Sequence, residues 1–168
     1  NCPDKQVITI KNDFKKPKPQ IEFLLGSITP GKEEIIKEGD NSPIIKALIN
    51  SPRFALVCDD KKQVQIISEI LKKQGKAVLT VCSETHAQED VKAFLQNADQ
   101  WIYNNWISKG IDGCILLSPT GESGLDISVK NYFTDVYGLF FGIIDVDSVI
   151  QLIGRVRDDK AKFHIWCK

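Results

Sequence analysis

The side chains with the most chemistry to offer fall in a few short stretches. Gly26-Ser27-Ile28-Thr29-Pro30-Gly31-Lys32 has the spacing of a phosphate-binding loop as far as its lysine. Such a loop cradles phosphates on glycine-rich backbone amides, reaches the terminal phosphates with Lys, and holds Mg²⁺ on the Ser or Thr that follows. Here that last place is Glu33, a carboxylate that repels phosphate, and Pro30 removes an amide from the cradle. A Pro-Gly turn leading into the acidic first turn of a helix accounts for the same letters and is the preferred reading.

The apolar run Phe54-Ala55-Leu56-Val57-Cys58 ends in Asp59-Asp60, which suits either a magnesium-binding acidic pair or the acidic pocket of a receiver domain. A receiver, however, needs a phosphoacceptor Asp where this chain has Ser118-Pro119. Either aspartate also serves as the N-cap of a helix beginning at Lys61, which requires no further function. Gly121-Glu122-Ser123-Gly124 fails the G-x-S-x-G nucleophile pattern because Gly124 directly follows Ser123. His86 and His164 have no metal-ligand spacing, so no metal site is expected.

Two segments remain. In Ser118-Pro119-Thr120-Gly121-Glu122-Ser123-Gly124-Leu125-Asp126, hydroxyls and glycines follow a buried strand, an arrangement suited to an anion. In Gln151-Leu152-Ile153-Gly154-Arg155-Val156-Arg157-Asp158, a glutamine and two arginines follow another strand. The arginines have two open readings: phosphate contacts, or ion pairs with Asp126, Asp158 or Asp159.

The elements that must position these residues read as follows. Residues 6–10 and 21–25 are strands separated by a charged, proline-containing turn region. Ser42-Pro43 opens a short helix that Asn50-Ser51-Pro52 ends. From Phe54 onward strands and helices alternate: strands at 54–58, 77–82, 114–118, 136–144 and 162–167, and helices over roughly 61–74, 88–104 and 145–156. Gly75 closes the first of these helices. In the second, Val91, Phe94, Leu95, Ala98, Trp101 and Ile102 form a core stripe, so Trp101 is a packing residue. Near-continuous apolar strands alternating with helices predict the α/β class, a doubly wound, mostly parallel sheet with helices on both faces. Ligands should then meet the loops after Cys58, Cys82, Ser118 and Ile144.

Composition bounds the partners. A chain of 168 residues allows one core, and a formal net charge of zero withholds the overall basic field of an autonomous nucleic-acid binder. Basic charge is local, on Lys5, Lys11, Lys15, Lys16 and Lys18, where a solvated entry arm is the preferred reading. The five cysteines form no C-x-x-C pair, and Cys58, Cys82 and Cys114 sit in apolar runs, as reduced structural residues would. With no secretory signal and no apolar run of membrane-spanning length, a cytoplasmic protein without membrane contact is expected. Asn1 in first place suggests a boundary inside a longer protein.

Taken together and in this order, the two segments resemble motifs V and VI of superfamily 2 helicases and translocases. Gln151-x-x-Gly154-Arg155 is similar to the start of motif VI, and the step from Ser118 through Gly124 to Asp126 is similar to motif V. Phe54 to Asp60 looks like motif IV. The likeness covers residues 53–168, and the short Gly-Arg-Val-Arg form of motif VI looks most like origin-binding replication helicases, including plasmid replication proteins.

The resemblance implies a RecA-like second motor domain at 53–168, with 1–52 as an arm and lead-in helix packed on it. ATP and Mg²⁺ would be held mainly by an upstream RecA-like domain, which makes Gly26 to Lys32 a decoy. Arg155 and Arg157 would reach the γ-phosphate across the cleft, Gln151 would position the nucleotide, and Gly124 and Asp126 would lie beside the ribose. Ser118, Thr120, Gly121 and Ser83 would hold the backbone of single-stranded or forked DNA, RNA being equally compatible. In many relatives the second arginine lies three places after the first, where this chain has Asp158. The chain alone would be inactive as an ATP hydrolase. The alternatives are a stand-alone α/β NTPase with a degenerate phosphate loop at Gly26–Lys32, and a non-catalytic α/β regulatory binding module.

Overall fold

Strand alternation decides which layer each apolar side chain serves. The structure, a computed structural model, describes residues 21–23, 43–119 and 124–167. The expected strand at 6–10, the basic arm, the Gly26–Lys32 loop, Thr120 and Gly121 lie outside the described residues. Chain order is β1 (Ile21–Phe23), α1 (Pro43–Asn50), β2 (Phe54–Cys58), α2 (Lys61–Lys73), β3 (Ala77–Val81), α3 (Glu89–Gln96), α4 (Ala98–Asn105), β4 (Gly113–Leu117), β5 (Asp135–Phe140), α5 (Val146–Ile153) and β6 (Lys162–Cys167).

The described strands form one six-stranded sheet in the order β1-β6-β5-β2-β4-β3, and every pairing is parallel. All five residues of β2 are buried. Their period of two sends Phe54, Leu56 and Cys58 to one face and Ala55 and Val57 to the other. On the first face they meet Ile45 and Leu48 of α1 and Val64, Ile67 and Leu71 of α2. On the second they meet Val91 and Phe94 of α3, Ala98 and Ile102 of α4, and Leu152 of α5. The fold is thus the expected α/β class, a doubly wound parallel sheet with helices on both faces, consistent with a RecA-like arrangement.

Several element ends differ from the sequence reading, each for a local reason. The helix expected over 88–104 is two helices, broken at Asn97, whose backbone is extended (φ −155°, ψ 89°) and whose side chain caps α4 by accepting from the Gln100 N–H. The apolar stripe runs through the break unaltered, which is why spacing alone hides it. Trp101 packs edge-on against Phe94 and Trp106, in the core role expected of it. The strand expected at 136–144 stops at Phe140, because Gly142 turns the chain at φ +78°. The helix expected over 145–156 stops at Ile153.

Cys58, Cys82 and Cys114 are buried free thiols, as their apolar settings imply. Burial pushes the Cys58 and Cys114 thiols up to about 12. Among the described residues no helix is long and apolar enough to cross a membrane.

Candidate functional site

The strand order locates the crevice. From β2 the chain leaves through α2 on one face towards β3, whereas from β5 it leaves through α5 on the other face towards β6. Adjacent strands that part in this way open a crevice at their carboxyl ends, where doubly wound sheets take ligands.

In this chain that crevice is strapped by Asp59. Its carboxylate, 5% exposed, accepts the Phe141 N–H at 2.7 Å and the Ile143 N–H at 2.8 Å. Asp60 is the N-cap of α2 and accepts from the Lys62 and Gln63 amides. Both aspartates are thus tied to backbone amides. Among the described residues no three His, Cys, Asp or Glu side chains converge as a metal site would need.

Beside the strap lies a shallow cleft of about 170 Å³, lined by Pro119, Ile144, Ser148, Gln151, Leu152 and Arg155. Its frame is local in origin. Asp145 caps α5 by accepting the Ser148 N–H at 2.9 Å and the Ser148 hydroxyl at 2.8 Å. Those two contacts, the backbone one first, hold its carboxyl below the usual range. The cap sets the first turn of α5, and one turn later Gln151 faces the cleft from the same side as Ser148. Arg155, half-buried, enters from just beyond the helix end.

Because α5 ends at Ile153, the two arginines do not sit on a helix. Val156 forms a parallel bridge with Ile127. The Ile127 N–H donates to the Arg155 carbonyl and the Arg157 N–H to the Ile127 carbonyl, each at 2.8 Å. Val156 is buried, with Arg155 in the turn before it and Arg157 just after it. Arg155 lines the cleft; Arg157 is exposed, with Nε 3.0 Å from Asp126 Oδ1. The bridge and the ion pair join the two sequence segments, as the ion-pair reading of the arginines anticipated for Asp126.

Asp158 is 1% exposed and accepts the Tyr132 N–H at 3.0 Å, the Phe133 N–H at 3.1 Å and the Lys160 N–H at 3.3 Å. It anchors the approach to β5, a task that an arginine could not perform. Asp99 does the same for Ser128 and Val129, accepting both amides on Oδ1.

The remaining sequence-derived positions are dispersed. Ser118 is buried at the end of β4, its N–H donated to the Val81 carbonyl. Ser83 is exposed and its hydroxyl donates to Glu84, which is itself paired with Lys61 at the start of α2. That lysine draws the Glu84 carboxyl down to about 2. Gly124 is exposed with φ +125°, backbone that L side chains rarely adopt. Pro119 and Ile144 line the cleft at two of the strand ends where ligands are expected, and Ser148 joins them unannounced by the motifs; its signal is the spacing D-x-x-S from Asp145, that of a cap and its third residue.

No protein-family model matches the chain. A stretch of 52 residues, 31% of the chain, is 35% identical to part of an uncharacterized protein of Picosynechococcus sp.. That stretch is 5% of the relative's length.

Proposed function

We propose that the chain is the second motor domain of a nucleic-acid-dependent ATPase, a DNA helicase acting in replication, and that Arg155 is its arginine finger. One observation carries the reading: Ser148, Gln151 and Arg155 share a cleft at the carboxyl edge of a parallel sheet, next to the crevice marked by its strand order. Phosphoryl transfer spreads negative charge over the phosphate oxygens, and a guanidinium placed against them raises turnover by ~10³ to 10⁵. Gln151 then orients the nucleotide, while Gly124 and Asp126 lie beside the sugar. Arg157, held by Asp126, links that segment to the finger. Ser83, Ser118, Thr120 and Gly121 contact the nucleic-acid backbone, which positions a strand without reading its bases. MgATP and the phosphate loop belong to the preceding motor domain.

A second feature favours a two-domain motor. Ile143, Val146 and Ile150 are 61%, 73% and 63% exposed along the outer side of α5 and its lead-in. The preceding domain closing over the cleft would cover them.

The test is MgATP hydrolysis. The 168-residue chain should show no turnover with or without single-stranded DNA, and Arg155→Ala in the longer protein should abolish it. Turnover by the chain alone, lost in Lys32→Ala, would establish the stand-alone NTPase instead.

A further inference from the structure

A second cavity, about 290 Å³, opens at the opposite edge of the sheet, where the strands begin. It lies between Arg53 at the entry to β2, the turn from Trp106 to Asp112 that feeds β4, and residues 130–132 ahead of β5. Tyr132 forms its wall. The ring stacks on Trp106 with centroids 6.0 Å apart, and the hydroxyl accepts the Gly113 N–H at 2.9 Å and donates towards the Ile111 and Gly113 carbonyls. Burial pushes this phenol up to about 12, so the wall is uncharged.

Arg53 lies on that wall, its guanidinium carbon 5.6 Å from the Tyr132 ring centroid. Its Nε is closed to solvent and makes no hydrogen bond. The Asp112 carboxylate approaches it only to 3.6 Å, beyond hydrogen-bonding range, and is itself 66% exposed. Lys130 is already engaged, donating to the Arg157 carbonyl at 3.2 Å and lying 3.9 Å from Asp159. Ile107 and Ile111 leave 37% and 38% of their surface open at the rim.

We propose that this cavity binds a small organic monocarboxylate with a flat apolar body. The carboxylate accepts from the terminal Nη–H groups of Arg53, whose side chain is 38% exposed, since a planar guanidinium matches a carboxylate in two parallel hydrogen bonds. The body lies between the Ile107 and Ile111 side chains, towards the aromatic wall. Asp112 at the mouth selects against dianions, because its exposed carboxylate already offsets part of the Arg53 charge and repels a second negative charge.

The probe is benzoate, with benzamide as its neutral counterpart and inorganic phosphate as an anion without a body, each titrated into the chain and followed by amide chemical shifts. Benzoate should produce saturable shifts at Gly110, Ile111, Asp112 and Asn131, and benzamide and phosphate should not. Arg53→Met and Ile111→Glu should each weaken benzoate by about tenfold or more, as loss of a charge-assisted pair or a new like charge would. Should Arg53→Met fail to fold, Ile111→Glu at the half-open rim decides. Absence of saturation, equal binding of benzamide or phosphate, or unchanged affinity in a folded Arg53→Met would overturn the proposal. None of these results bears on the Arg155 cleft at the other edge.

Discussion

The Arg157 guanidinium lies 3.0 Å from the Asp126 carboxylate, with 63% and 44% of the two side chains open to solvent. An exposed pair of this kind contributes only ~0–1 kcal/mol to stability. Arg157→Ala and Asp126→Asn should therefore melt within a few degrees of the parent protein. On the proposed two-domain reading, Arg155→Ala in the joined motor should lower MgATP turnover by about 10³-fold or more, and Arg157→Ala should cost less, since Arg157 does not line the cleft. Steady-state kinetics on both variants checks the order; a larger loss for Arg157→Ala would move the finger to that residue.

Asp158 should behave in the opposite way. Its buried carboxylate satisfies the Tyr132 and Phe133 amides, which find no other partner among the described residues. Leaving two buried donors unmet costs ~1–3 kcal/mol each. Asp158→Ala should lose roughly 2–5 kcal/mol in urea unfolding, and Asp158→Arg, which would give the arginine spacing of the superfamily 2 motif that this segment resembles, should be worse still. A fully stable Asp158→Arg would contradict the anchoring role.

The Asp59 strap makes a prediction about local motion. Asp59→Ala should release the Phe141 and Ile143 amides and cost about 2–4 kcal/mol. Hydrogen exchange at these two amides should speed up well before exchange in β2. Titration of Mg²⁺ into the parent chain should leave the Asp59 and Asp60 resonances in place, because both carboxylates are committed; a saturable shift there would revive the acidic-pair reading.

Acid stability should depend on Asp135. Burial by itself would push its carboxyl up, but hydrogen bonds from Ser51, His164 and Thr134 outweigh this and hold it below its ordinary value. Ser51 Oγ donates to Oδ2 at 2.6 Å, and His164 Nε2 lies 2.8 Å from Oδ1. A lowered carboxyl contributes stability that is fully present above the unfolded value, about 3.9, and is lost as pH falls through the lower folded one. Asp135→Asn should flatten the acid limb of a stability-against-pH curve below about pH 4. Ser51→Ala should shift the folded value back up and remove ~1.5–3 kcal/mol at neutral pH. Denaturant midpoints from pH 2 to 7 supply the measurement, and an unchanged limb in Asp135→Asn would reject the assignment.

These examples show where the sequence is legible. Both ends of α2 follow from nearby letters, Asp60 as cap and Gly75 as stop, and the buried strands follow from unbroken apolar runs. The segments containing Ser118, Gly124, Asp126, Gln151 and Arg155 are likewise visible as hydroxyls, glycines and charges after strands. What escapes is pairing with distant backbone. Asp59 serves amides 82 and 84 places away, Asp158 serves one 26 places away, and an amide carries no letter of its own. Val156 escapes for the same reason: its apolar side chain continues the helical pattern, while Ile127, its bridge partner, is remote in sequence.

The order of the strands also has a temporal consequence. β2 and β3 are neighbours along the chain but not in the sheet, because β4 lies between them. Ala55 must wait for Ile115, and Leu56 for Tyr137, before the central strand gains either partner. Pairings so remote carry a large loop-closure cost before they return any contact, which slows folding. During synthesis β2 emerges first and remains unpaired until β4 and β5 follow it. That interval leaves Phe54-Ala55-Leu56-Val57-Cys58, a wholly apolar core strand, open to association between nascent chains.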